Sequence, residues 1–150
     1  MNTVLNSALI GAGNIARGHL NAISKLDTIR AYAIMDVDEK RVKKVADEIG
    51  AKPYSDLESL LSDDEIDAIH VCSPHFLHAD QAVAAAKAGK HVLVEKPMAL
   101  TVPDCDRMIE ACGQAGKVLM VGQVMRKFPA HLKIRELIEE GAIGSVGHMM

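Results

Sequence analysis

The sequence predicts an α/β domain: a doubly wound parallel sheet with helices packed on both faces, three layers in all. Three observations predict it. Short apolar runs alternate with amphipathic helical patterns along the chain. No hairpin signal joins any two of the runs. The first run passes straight into a glycine-rich turn and a helix. Strands separated by helices return to the sheet in parallel, and right-handed crossovers then wind it outward on both sides.

In order, "SALI" (7–10) is the first strand, ending at the turn "GAGN". From Ile15 a helix follows, with Leu20, Ile23 and Leu26 on one face. "IRAYAIM" (29–35) is the second strand, ending at Asp36. "DEKRVKKVADEIG" is a charged amphipathic helix closed by Gly50. "KPYS" is a short strand and "DLESLLSD" a short helix. "AIHVCS" (68–73) is a buried strand ended by Pro74, and "ADQAVAAAKAGK" an Ala-rich helix closed at Gly89. "HVLVEKP" is the next strand. Thr101 with Asp104 forms a capping arrangement for a helix whose Cys105, Met108, Ile109 and Cys112 share one face. Gly116 ends that helix, and "KVLMVG" is the last strand of the sheet. These elements place one α/β domain at 1–122 and leave residues 123–150 after its last strand.

Composition narrows the function. The 150 residues are 49% hydrophobic and 25% charged with a net charge of −3, so no basic surface points to nucleic acid. No apolar run approaches the ~20 residues a membrane helix needs. The first residues lack the basic and apolar regions of a signal peptide. Cys72, Cys105 and Cys112 fit no zinc or CxxC spacing and read as reduced thiols of a cytoplasmic protein.

The glycine-rich turn sits in the setting a dinucleotide needs: a strand before it, a helix after it and a second strand beyond. Gly11 permits the tight turn, Gly13 lets backbone approach a pyrophosphate, and Ala16 lets helix and strand pack closely. The pyrophosphate is expected along Gly11–Ile15, including Asn14, at the helix N-terminus. Asp36 lies 20 residues after Ala16, where a carboxylate accepts from the adenosine ribose hydroxyls and repels a 2′-phosphate. The expected cofactor is therefore NAD rather than NADP. Lys40 and Arg41 sit close enough to weaken this preference, though on the next helix they are expected to face water. A Rossmann-like domain without cofactor is the alternative reading.

"SPHFLHADQAVAAAKAGKHVLVEKPMALT" (73–101) closely resembles the Gfo/Idh/MocA oxidoreductases, whose members carry a Thr/Ser-Pro-Asn-x-x-His turn and a Glu-Lys-Pro motif. "VGQVMRKFPAHLKIRELIEEGAIGSV" also resembles that family's passage into its second domain. The resemblance implies an NAD(P)-dependent oxidoreductase that transfers hydride between nicotinamide and a hydroxyl of a sugar, polyol or related substrate. It implies that Lys96 is the active-site lysine, an ammonium that donates to the substrate oxygen or relays a proton. Glu95 and Pro97 complete its motif, with the Lys-Pro bond often cis, and the resemblance implies that Glu95, Lys96 and Pro97 also contact the cofactor. Ser73, Pro74, His75 and His78 match the turn lining the cofactor cleft, His75 standing where Asn is usual. Arg126 is a candidate substrate contact.

The resemblance further implies a second α/β domain, beyond Met150, that supplies an Asp/His pair and most substrate contacts. "IGSVGHMM" would be its first strand, disordered here or paired between chains. The 150-residue chain is accordingly expected to bind NAD without turnover, and to form homo-oligomers. The alternative function is a non-catalytic dinucleotide-binding or sensor module, or an inactive truncated product. Among the remaining histidines, His75 and His78 at i, i+3 find no third ligand, so no metal is expected. His19, His70, His91, His131 and His148 fall in no pattern and read as structural or exposed.

Overall fold

Apolar runs buried on two sides become strands, and each hands the chain to a helix that crosses back. The structure, a computed structural model, describes residues 4–147. The strands are β1 (Leu5–Ile10), β2 (Ile29–Met35), β3 (Lys52–Tyr54), β4 (Ala68–Val71), β5 (His91–Val94) and β6 (Leu119–Val121). The helices are α1 (Asn14–Ile23), α2 (Glu39–Ile49), α3 (Leu57–Leu61), α4 (His78–Lys87), α5 (Val102–Gln114) and α6 (Pro129–Glu139). Every strand pairing is parallel, in the order β3-β2-β1-β4-β5-β6. This is the doubly wound Rossmann arrangement that the alternation predicts.

Alternation along the strands divides the core in two. Ala8, Ile10, Ile69, Val71, Val92 and Val94 pack against Leu60 of α3, the alanines of α4 and Met108 and Cys112 of α5. Leu9 and Ile34 point the other way, against Ala16 and Ile23 of α1 and Val42, Val45 and Ala46 of α2. Burial on both faces is why these strands read as unbroken apolar runs. The second face continues by register from Leu9 to His70, Leu93 and Met120. There Met120 is 56% exposed.

Local signals set the ends of the helices. Asp38 caps α2 by accepting from the Arg41 N–H at 3.0 Å, and Gly50 closes that helix in the left-handed region. Thr101 caps α5 by accepting from the Asp104 N–H, and its hydroxyl donates to the Asp104 carboxylate, as their spacing predicts. Residues 143–147, the described part of the segment expected to be disordered or paired between chains, form no strand. An extended segment gains ladder hydrogen bonds only beside another strand, and among the described residues none pairs with it. His148 and the remainder of that segment lie outside the described residues.

Candidate cofactor site

At the carboxyl edge of the sheet the chain leaves β1 toward β2 and leaves β4 toward β5. The two paths diverge and open a crevice between neighbouring strands, the usual ligand position in an open α/β sheet. A cleft of about 410 Å³ lies there, lined by Gly11, Gly13, Asn14, Ile15, Asp36, Ser73 and Pro74, seven residues expected from the sequence. Gly11 has φ +99°, and a Cβ on it would come within 2.9 Å of the Cys72 carbonyl oxygen. Only glycine makes that turn. Gly13 differs: it caps α1 without a side-chain hydrogen bond, and a Cβ there would meet open space. With no acidic side chain in its first turn, α1 offers free N–H groups and a positive dipole end to an anion. Ala16, 1% exposed, lets the helix sit down on the sheet.

Asp36 stands at the end of β2 and is buried. Its Oδ2 accepts from the Ala12 N–H at 2.8 Å and its Oδ1 from the Asp38 N–H at 3.0 Å. Arg41 also reaches it, Nη1 lying 3.4 Å from Oδ2. The Arg41 side chain is nonetheless 53% exposed, so it faces water as expected and also reaches the carboxylate. With Asp38 as N-cap, Arg41 is the third residue of α2 and turns back over the strand end. A carboxylate has about four lone-pair sites, so Oδ1 keeps one for a ribose hydroxyl.

The cleft continues past the α1 N-terminus. Asn14 and Ile15 also line an adjoining hollow with His19, Glu95 and Gly122. Glu95 follows β5 directly, and its Oε2 accepts from the Lys96 N–H at 3.0 Å. Lys96 is exposed, and the Lys96–Pro97 bond is cis, as the motif implies. Burial, reinforced by the Glu95 carboxylate, pushes the Cys72 thiol up to about 12, so it stays protonated at the cleft floor.

His78 is placed differently from its expected cofactor role. It is fully buried, with Nδ1 2.9 Å from the Pro97 carbonyl and Nε2 3.0 Å from the Ser73 carbonyl. Carbonyls only accept, so a neutral ring donates to one and a cationic ring to both. No nitrogen is left for cofactor or metal. The imidazole ties the Ser73–Pro74 turn to the Lys96–Pro97 turn.

The match to known proteins decides the family. The model for the oxidoreductase family with NAD-binding Rossmann fold matches residues 5–123. The chain belongs to the Gfo/Idh/MocA oxidoreductases. A myo-inositol 2-dehydrogenase of Thermotoga maritima is 38% identical over 138 residues, 91% of this chain and 41% of its own length. The chain thus spans about two fifths of this curated relative. The WlbA dehydrogenase from Bordetella pertussis, solved with NADH and UDP-GlcNAcA, superposes with a TM-score of 0.90 at 33% identity, covering 94% of this chain and 43% of that one. A 3-ketoreductase from Actinomadura kijaniata, solved with NADP and TDP-benzene, superposes with a TM-score of 0.89 at 30% identity, covering 95% and 44%.

Within this Gfo/Idh/MocA domain the remaining expected residues separate. His75 is exposed on the 3-10 turn His75–Leu77, its ring edge-on to His78 and outside the cleft lining. Glu95, Lys96 and Pro97 stand at the far end, beyond the α1 N-terminus. Arg126 lies past β6, lining a separate hollow with Lys127. The sequence gives no signal for Gln81, which lines the cleft and accepts from the Ser73 hydroxyl. Sequence reasoning also missed His19 and His70, which join Glu95. His19 falls four residues after Ile15, on the same face of α1, and that spacing was the available signal.

Proposed function

We infer that this domain holds NAD along the cleft, adenosine ribose at Asp36 and pyrophosphate at the α1 N-terminus, and serves a dehydrogenase acting on a sugar or polyol hydroxyl. One observation carries the reading. A cleft with a buried carboxylate at one end and an uncapped helix N-terminus with room at Gly13 adjoins a hollow lined by Glu95, the residue before Lys96. The residues fit the group. When bound, NAD supplies the carbon that accepts hydride. The chain's own part is binding, orientation and charge.

Lys96 is the residue proposed for the chemistry. Its ammonium, at the open end of β5, donates to the substrate oxygen and stabilises the negative charge that grows there. The preference for NAD rests on Asp36, whose charge repels a 2′-phosphate, and is moderated by Arg41 beside it. Relatives solved with NADH and with NADP are compatible with such a balance. We place the protein in the cytoplasm, favoured by its three free thiols, and infer homo-oligomers, for which Met120, Val124 and Phe128 offer exposed apolar surface.

Turnover tests the reading in a protein that carries this domain together with the rest of the length found in its relatives. Lys96→Ala is expected to lower polyol or sugar oxidation by orders of magnitude while NADH affinity and melting temperature hold. Near-normal turnover would remove Lys96 from its role.

A further inference from the structure

Between α1 and the end of β5 lies a chain of three titratable side chains that cofactor binding does not require. His70 Nδ1 is 3.0 Å from His19 Nδ1, and His19 Nε2 is 3.0 Å from Glu95 Oε1. The other Glu95 oxygen accepts from the Lys96 N–H. His19 and Glu95 side chains are each 15% exposed, and His70 is buried between Leu9 and Leu93 in the sheet register.

The proton count of this chain follows from donor chemistry. An ionised carboxylate only accepts, so His19 Nε2 carries a proton. The contact between the two Nδ1 atoms needs one proton. It sits on His70 if His19 is neutral and on His19 if it is cationic. Burial, with the His19 charge, holds His70 down to about 4, so His70 is neutral near pH 7 and either arrangement is open to the pair. The Nε2–H to Glu95 bond persists in both.

The seat around Glu95 is closed on a third side. A Cβ on Gly122 would come within 3.0 Å of Glu95 Oε1 and 3.3 Å of its Cδ. Gly122 is itself fixed by donating to the Val94 carbonyl at 2.8 Å. The carboxylate is therefore gripped by His19, by the Lys96 backbone and by the bare Gly122 Cα. An exposed glutamate after a strand would hold no such fixed position, since three rotatable bonds must be ordered against their entropy.

We propose that His19, steadied by His70, is a positioning residue: it locks the Glu95 carboxylate, which in turn holds the Lys96 backbone and aims its ammonium at the reacting end of the cleft. The catalytic consequence rests on the dehydrogenase reading of Lys96, whereas the positioning itself is a property of this chain alone. On that reading a misplaced lysine lowers kcat more than it raises KM, because positioning errors of about 1 Å cost up to about 100-fold in rate.

Nitrogen-15 NMR of the 150-residue chain tests the positioning without any cofactor. His19 is expected to show a protonated Nε2, and the Lys96 amide proton a downfield resonance from its bond to the carboxylate. His19→Gln, which keeps an N–H donor near the Nε2 position, should preserve that resonance. His19→Ala should move it upfield, as should Gly122→Ala, which displaces the carboxylate without removing a partner. A bare Nε2 on His19 overturns the proposal, and this wild-type measurement stands even if a variant fails to fold. A Lys96 amide unmoved in folded His19→Ala overturns it too. In the longer protein, His19→Ala should lose kcat and His19→Gln recover it. If Lys96→Ala leaves turnover intact, the dehydrogenase reading fails, and the amide resonance still decides the positioning.

Discussion

Asp36 holds the Ala12 N–H on one oxygen and the Asp38 N–H on the other, so its replacement reaches beyond the cofactor. Asp36→Ala leaves the buried Ala12 N–H without a partner, which costs about 1–3 kcal/mol. At roughly 2–4 °C per kcal/mol for a domain of this size, melting should fall by several degrees. Titration calorimetry on the same variant should show a narrower gap between NADH and NADPH. A variant with unchanged melting would contradict the accounting. The spacing from the glycine turn made Asp36 legible in the sequence. Its second duty was not, because no sequence pattern says which backbone N–H lies across a strand end. His78 was legible as a motif residue but not as a buried clamp: a sequence does not show toward which side of a turn an imidazole points. His70 gives a pH test. Its folded value of about 4 lies below the ordinary 6.5, so the unfolded chain takes up a proton first as pH falls. Stability from this group is complete above pH 6.5 and is lost between 6.5 and 4. Denaturant midpoints should fall across that window, and the slope should weaken in His70→Gln.

The turn between β1 and α1 separates two uses of glycine. At Gly11 a side chain meets the Cys72 carbonyl and a positive φ, at Gly13 only open space. Gly11→Ala should lower stability by about 1–3 kcal/mol through backbone strain, with further loss from the 2.9 Å contact. Gly13→Ala should leave melting nearly unchanged and weaken NADH binding, because its Cβ occupies the approach to the pyrophosphate. Equal losses of stability in the two variants, measured by thermal unfolding, would contradict this division. Elements were the most legible scale. Gly50 and Thr101 end or begin helices where the sequence places them, since capping is local chemistry. The 3-10 turn His75–Leu77 is not legible in the sequence, because it depends on how β4 meets α4, which no local pattern supplies.

At the scale of the whole molecule, the order β3-β2-β1-β4-β5-β6 puts the cleft at the point where the chain turns both ways. The alternation of apolar runs and helices implied a doubly wound parallel sheet, because right-handed crossovers and burial on both faces leave few other architectures; the strand order itself was not legible in it. The sequence was silent on how far the cleft extends: its continuity from Asp36 to Glu95 depends on Asn14 and Ile15 lining both hollows. We propose that residues 123–150 lead into a second domain, as the length of the relatives favours. The central claim, that the cleft holds NAD, needs only the present chain. Isothermal titration of the 150-residue protein with NADH, repeated with NADPH, tests it most directly. One saturable site per chain, tighter for NADH, is the expected result; absence of saturable binding, or NADPH binding as tightly as NADH, would contradict NAD binding in this cleft.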